Sequence, residues 1–192
     1  MIDARLVEKT GSSTAAAWQG VAGQLQALAE GAGSYYGQGM NELAATSYGC
    51  LDWLLVRVSL HEAAHAVVAE EFDLSTRIEI DSGNRIGNGR CWIGPELLKA
   101  SSQVRMLIGL AGSTAEQIAA YGVRHAGVPR VHQYLTWPRM MSQPDQNLAR
   151  GFTVDDTAKC HALVIRKWPA IAATARRVLH EQLQVNGQRG LQ

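Results

Sequence analysis

The sequence predicts a mainly α-helical, α+β domain: a helical body with a small β-hairpin beside one long helix. Three observations predict it. From about Leu51 to Phe72, the residues Leu54, Val58, His61, His65, Val68 and Phe72 recur at spacings of four and three, one stripe of a helix. Thr76-Arg77-Ile78-Glu79-Ile80 alternates polar and apolar residues, as a half-buried strand does. Two later segments, opening near Glu96 and at Thr153, return to helical composition.

In chain order, residues 1–13 read as loose, and Ala15 to Glu30 reads as a helix rich in Ala, Gln and Leu. Gly31 to Gly39 is a glycine-rich hinge, and Asn41 is a plausible N-cap ahead of Glu42 and Leu43. The long helix follows. After the strand, Asp81 to Gly89 is dense in Gly, Asn and Asp, so it is a turn; Cys91-Trp92-Ile93 returns as the second strand of a hairpin. Pro95 can open the next helix, read from Glu96 to Tyr121 with breaks allowed at Ser101-Ser102 or Gly112-Ser113. Gly122 is its expected C-terminal glycine. Residues 123–152 read as a long loop with one short helix around Val131 to Trp137. Thr153 is an N-cap for the last helical region, which Pro169 should kink or split, with a second piece ending near Leu183. The expected organisation is an N-terminal helical extension over 1–50, one domain over 51–185 and a flexible tail over 186–192.

Composition narrows the function classes. At 192 residues, with 46% hydrophobic and 18% charged residues, the chain suits one globular domain with a real core. The net charge of +1, without basic runs, gives no argument for nucleic acid. The three cysteines, Cys50, Cys91 and Cys160, are widely spaced and form no CxxC pair, which fits reduced thiols in a cytoplasm. No signal-peptide core and no membrane-length apolar run are visible, so a soluble, cytoplasmic chain is expected.

The chemistry is concentrated in His61-Glu62-Ala63-Ala64-His65. Positions four apart on a helix share a face, so both imidazoles can reach one metal ion. Glu62, beside them, is placed to take a proton from water. Two helical His ligands with an adjacent Glu base is the arrangement of zinc peptidases. Two core histidines with ordinary hydrogen-bond partners is the competing reading.

Beyond this motif the chain resembles the peptidase domain of the FtsH-type ATP-dependent zinc proteases. HEAAHAVVAEEF is similar to that family's HEAGHAxxA segment, and Arg77–Ile80 with Cys91-Trp92-Ile93-Gly94 to its hairpin. Leu107-Ile108-Gly109-Leu110-Ala111-Gly112-Ser113-Thr114-Ala115-Glu116 is similar to LLGGRAAEE, and Val154-Asp155-Asp156-Thr157-Ala158-Lys159-Cys160 to SNDLERA. The likeness covers roughly Leu60 to Leu179. It implies a Zn2+ site of His61, His65 and Asp156, the last at the position of the family's third ligand. A first-turn capping charge is the alternative for Asp156, and His125, His132 and Asp145 are the competing ligands. Ala64 stands where the family has Gly, and Cys160 where it has a small Ala. No GxxxxGK[ST] string occurs in the sequence, so the likeness is to a freestanding peptidase-like domain.

The function implied is a zinc metallopeptidase acting on unfolded or flexible polypeptides, with Glu62 as general base. Trp92 and Ile93 are the candidate substrate-binding residues, on a strand that could pair with an extended peptide; core packing is the alternative for Trp92. Glu116 could orient a ligand histidine, or be an exposed helix carboxylate. A separate ATPase or unfoldase is an allowed partner, and so is a second copy of the chain. The rival reading is a non-catalytic binding or regulatory domain that keeps the fold.

Overall fold

The computed structural model describes residues 47–81, 88–122 and 125–189. The helix expected at Ala15 to Glu30, the Gly31–Gly39 hinge and the Asn41 cap lie outside these residues, as does most of the expected turn at 81–89. The described residues are mostly helical, with one two-stranded antiparallel sheet. The elements are α1 (Ser47–Glu70), β1 (Thr76–Asp81), β2 (Asn88–Ile93), a 3-10 helix (Pro95–Lys99), α2 (Ser102–Tyr121), α3 (Val128–Thr136), α4 (Gln143–Leu148) and α5 (Val154–Arg189).

Helix α1 is the centre of the molecule. It packs on α5 along one side and α2 along another, while the hairpin lies over it. The single apolar stripe expected of α1 is therefore too narrow. Ser59 and Leu60, then every residue from Glu62 to Ala69, are buried, because neighbours cover the helix on several sides at once. Small side chains at Ala63, Ala64, Ala66 and Ala69 let those neighbours come close. Ile108, Leu110 and Ile118 of α2 and Val164 and Ile171 of α5 complete the core.

The hairpin pairs as the alternation suggests, with Ile78 opposite Cys91 and Thr76 opposite Ile93. The Gly94 N–H bonds to the Ser75 carbonyl at 2.9 Å. That bond sets the phase of the ladder: Arg77 and Trp92 exchange hydrogen bonds, while the backbone groups of Cys91 and Ile93 point to the outer edge of β2. No described strand pairs with that edge.

Several boundaries differ from expectation. Pro95–Lys99 is a separate 3-10 turn, and α2 starts at Ser102, where the Ser101 hydroxyl accepts the Val104 N–H at 3.2 Å. Gly112-Ser113 does not interrupt α2, and Gly122 ends it at φ 73°. The stretch 123–152 holds two helices rather than one, α3 and α4. Helix α5 runs unbroken through Pro169 to Arg189, past the expected end at Leu183. Among the described residues, no helix is long and apolar enough to cross a membrane.

Ile108 is fully buried where α2 meets the rest of the core. Ile108→Ala is expected to lower stability by about 2–5 kcal/mol, through lost transfer energy and a residual cavity. Urea denaturation measures it, and a loss below about 1 kcal/mol would contradict this placement.

Candidate metal centre

Both histidines of α1 face α2, and the chain leaves room for them by a missing side chain. A Cβ built on Gly112 would stand 2.5 Å from His61 Nε2 and 2.5 Å from His65 Nε2. Any larger residue there would occupy the space in front of both ring nitrogens. The rings lie edge to face, with centroids 4.7 Å apart, and their Nε2 atoms are 3.0 Å apart.

The third group is Asp145, not Asp156. Asp145 Oδ2 is 3.4 Å from His61 Nε2, and Asp145 Oδ1 is 3.3 Å from His65 Nε2. Asp145 sits in the first turn of α4, where the Ser142 hydroxyl donates to Oδ2 at 2.7 Å and accepts the Asp145 N–H at 3.3 Å. Helix α4 can bring it there because Gly109 has no side chain. A Cβ on Gly109 would lie 2.8 Å from the Asp145 carbonyl oxygen and 3.0 Å from the Ala149 nitrogen. Two glycines three residues apart on α2 thus serve one site: Gly112 clears the imidazoles, and Gly109 admits the helix that carries the carboxylate.

Asp156 is occupied elsewhere. Its Oδ2 accepts the Thr153 N–H at 3.0 Å and the Thr153 hydroxyl at 2.7 Å, while Thr153 Oγ1 accepts the Asp156 N–H. This is a reciprocal cap on the first turn of α5. Gln103 donates to Oδ1 at 3.2 Å. The Thr153 hydroxyl holds the Asp156 carboxyl below its ordinary range. The other competitors are also placed away from the pair. His132 Nδ1 meets Thr157 Oγ1 at 2.9 Å, and His125 is exposed in the turn before α3.

Each imidazole is fixed by a second hydrogen bond. His65 donates from Nδ1 to the Ile108 carbonyl at 2.7 Å, and His61 donates from Nδ1 to Glu116 Oε1 at 2.8 Å. Arg57 donates to the other Glu116 oxygen at 2.7 Å. Glu116 therefore orients His61 and is not an exposed helix carboxylate. Both rings keep their proton on Nδ1 and turn Nε2 toward Asp145, the usual way an outer partner sets the tautomer of a metal ligand.

The spacing suits a small divalent ion. A tetrahedral ion with bonds of about 2.0–2.1 Å separates its ligand atoms by about 3.3 Å. The two Nε2 atoms are 3.0 Å apart, and each meets a different oxygen of the Asp145 carboxylate, His61 at 3.4 Å and His65 at 3.3 Å, separations of that size. Among the described residues, His61, His65 and Asp145 are the group able to hold a metal ion.

Glu62 is buried at 8% exposure, and among the described residues it has no hydrogen-bond partner. Its carboxylate oxygens are not among the fully enclosed polar atoms left without a partner; among the described residues that place is held by Ser59 Oγ. Glu62 lies under the hairpin, since a Cβ on Gly89 would come 3.0 Å from Glu62 Oε1. Cys91, next along the inner face of β2, has a thiol pushed up to about 12 by burial and by the carboxylates of Glu62, Glu70 and Asp145. Trp92 points the other way. Its indole N–H donates to Glu79 at 2.8 Å, Arg90 stacks 5.0 Å from its ring centroid, and it is 45% exposed. Its side chain is therefore neither in the core nor turned toward the histidines. Ile93 packs inward against the core.

No known protein-family model matches the chain, and no curated protein matches it.

Two outcomes follow from this geometry. Asp145→Ala is expected to abolish stoichiometric metal binding in elemental analysis. Asp156→Ala is expected to keep the metal and lose only about 1 kcal/mol of stability. The reverse pattern would return the third ligand to Asp156. The second outcome concerns protons. Burial opposes charge on His61, but hydrogen bonds to Asp145 and Glu116 outweigh it and push its pKa up to about 10. Because that value lies above the ordinary 6.5, the charged ring stabilises the metal-free fold fully below pH 6.5, and this is lost as pH rises through 10. For Asp145, burial is likewise outweighed by His61 and His65, which hold its carboxyl well below the usual range, so its contribution is lost in acid. At pH 7.5 a metal ion must displace the Nε2 proton of His61. Calorimetry in buffers of different ionisation enthalpy is expected to report about one proton released per metal bound; zero release would contradict a protonated His61.

Proposed function

We propose that this chain is a zinc-dependent metallopeptidase that hydrolyses peptide bonds of unfolded or flexible polypeptides. The observation that supports the reading is the pairing of a three-residue site with a carboxylate on the adjacent residue, Glu62, to which no hydrogen bond is made among the described residues. A structural metal site has no need of Glu62. The likeness to the FtsH-type peptidase domain points the same way, with Asp145 taking the role that the likeness would give to Asp156.

Zinc fits the donor set, two imidazoles and a carboxylate with a fourth position left open, and when bound it lowers the pKa of a water ligand and polarises a carbonyl. The chain's own groups do the rest. Glu62 accepts a proton from the attacking water and delivers it to the leaving amine. Glu116 and the Ile108 carbonyl keep both rings turned, so the site does not reorganise during turnover. The outer edge of β2 offers the backbone groups of Cys91 and Ile93 to an extended peptide, an interaction that asks little of the peptide's sequence. Trp92 contributes its position on this strand rather than its side chain.

The test is Glu62→Gln. Zinc-loaded wild type is expected to cleave an unfolded protein such as casein, to lose activity with a chelator and to regain it with zinc. Glu62→Gln is expected to keep zinc and fold while kcat falls by roughly 10²–10⁴-fold. Cleavage by Glu62→Gln at the wild-type rate, or none by the zinc-loaded wild type, would overturn the peptidase reading in favour of a non-catalytic metal-binding domain.

A further inference from the structure

A second recess lies on the flank of α4. It encloses about 350 Å³ and is walled by Leu135, Trp137, Pro138, Met141 and Phe152, with Arg150 among its lining residues. That volume falls in the range of small-ligand pockets. None of the lining residues belongs to the metal centre, so the inference does not rest on the peptidase reading.

The walls and the charge point to one kind of occupant. Trp137 is 54% exposed, so a large aromatic face is left at the surface beside the recess. Aromatic and aliphatic walls of this kind accept a bulky apolar side chain. Arg150 is exposed, and among the described residues it has no acidic or hydrogen-bonding partner. No acidic side chain lines the recess. A guanidinium presents a fixed fork of donors that matches a carboxylate. An apolar side chain and a carboxylate a few ångströms apart occur together at the end of a polypeptide whose last residue is bulky and apolar.

We infer that the recess between the end of α3 and the flank of α4 binds the C-terminus of a polypeptide ending in a bulky apolar residue, its side chain against Trp137 and Phe152 and its terminal carboxylate on Arg150. The neighbouring α4 carries Asp145, so a chain end held here lies on the next element to the metal centre.

The experiment uses the full chain with Glu62→Gln, in which bound peptide stays intact. Calorimetry compares N-acetyl-Ala-Ala-Phe bearing a free carboxylate, its C-terminal amide, and 3-phenylpropionate. The free acid is expected to bind at least about tenfold more tightly than the amide, the scale of one charge-assisted pair. Arg150→Gln is expected to erase that preference, and Trp137→Ala to weaken both peptides. Circular dichroism establishes that each variant is folded. Equal binding of acid and amide, no binding of either, or a preference that survives Arg150→Gln would overturn the inference. Phenylpropionate binding as tightly as the peptide acid would overturn the assignment to a chain end. Metal content and casein cleavage by the parent chain are measured separately, so failure here leaves the metal centre untouched.

Discussion

The buried carboxylate of Asp145 and the buried His65 ring, packed with the half-buried ring of His61 at the edge of an apolar core, are the constraint around which the rest of this structure is arranged. Isolated buried charge is costly, and it persists only where opposite charge, hydrogen bonds or a metal compensate it. Asp145, His61 and His65 compensate one another, but only because their atoms approach within 3.0–3.4 Å. That approach constrains the backbone. Helix α2 must pass between α1 and α4 without side chains at Gly109 and Gly112. Helix α4 must begin at Ser142, whose hydroxyl both caps the helix and holds the Asp145 carboxylate. The alanines of α1 follow from the same demand, since a central helix carrying polar ligands must let its neighbours close over it.

The outer partners turn a cluster into a site. Without the Ile108 carbonyl and Glu116, either ring could flip or change tautomer, and the Nε2 atoms would not converge. Arg57 extends the chain of partners to the surface and holds Glu116 ionised against its burial, together with His61. Glu62 lies under the hairpin, close to an edge of β2 with which no described strand pairs.

Much of this was legible in the sequence. The spacing of His61 and His65 placed both on one helical face. The alternation at Thr76–Ile80 and the turn residues after it gave the hairpin in its observed position. The third member of the cluster, Asp145, was not legible, and the reason is physical. Ser142-Gln143-Pro144-Asp145 and Thr153-Val154-Asp155-Asp156 have the same local chemistry: a hydroxyl N-cap, then a carboxylate three residues on that closes the first turn. Local signals cannot say which of the two helices is drawn against α2; the long-range fit at Gly109 decides it. A six-residue helix with Pro144 at its start falls below the length at which periodicity is visible. The single apolar stripe expected of α1 and the split allowed at Pro169 failed for a related reason. Both are local expectations, overridden by packing on several sides of α1 and by buried contacts on both sides of Pro169, from Val164 and Trp168 to Ile171 and Ala175.

Zinc K-edge X-ray absorption on the metal-loaded chain tests the central claim most directly, because it reads the ligands themselves. The expected spectrum shows imidazole scattering from two histidines and a nitrogen and oxygen shell at about 2.0–2.2 Å, and this spectrum is lost in Asp145→Ala together with the metal. A sulfur shell at about 2.3 Å, which would bring Cys91 or another thiol into the site, would contradict a centre built from His61, His65 and Asp145. So would a spectrum without imidazole scattering.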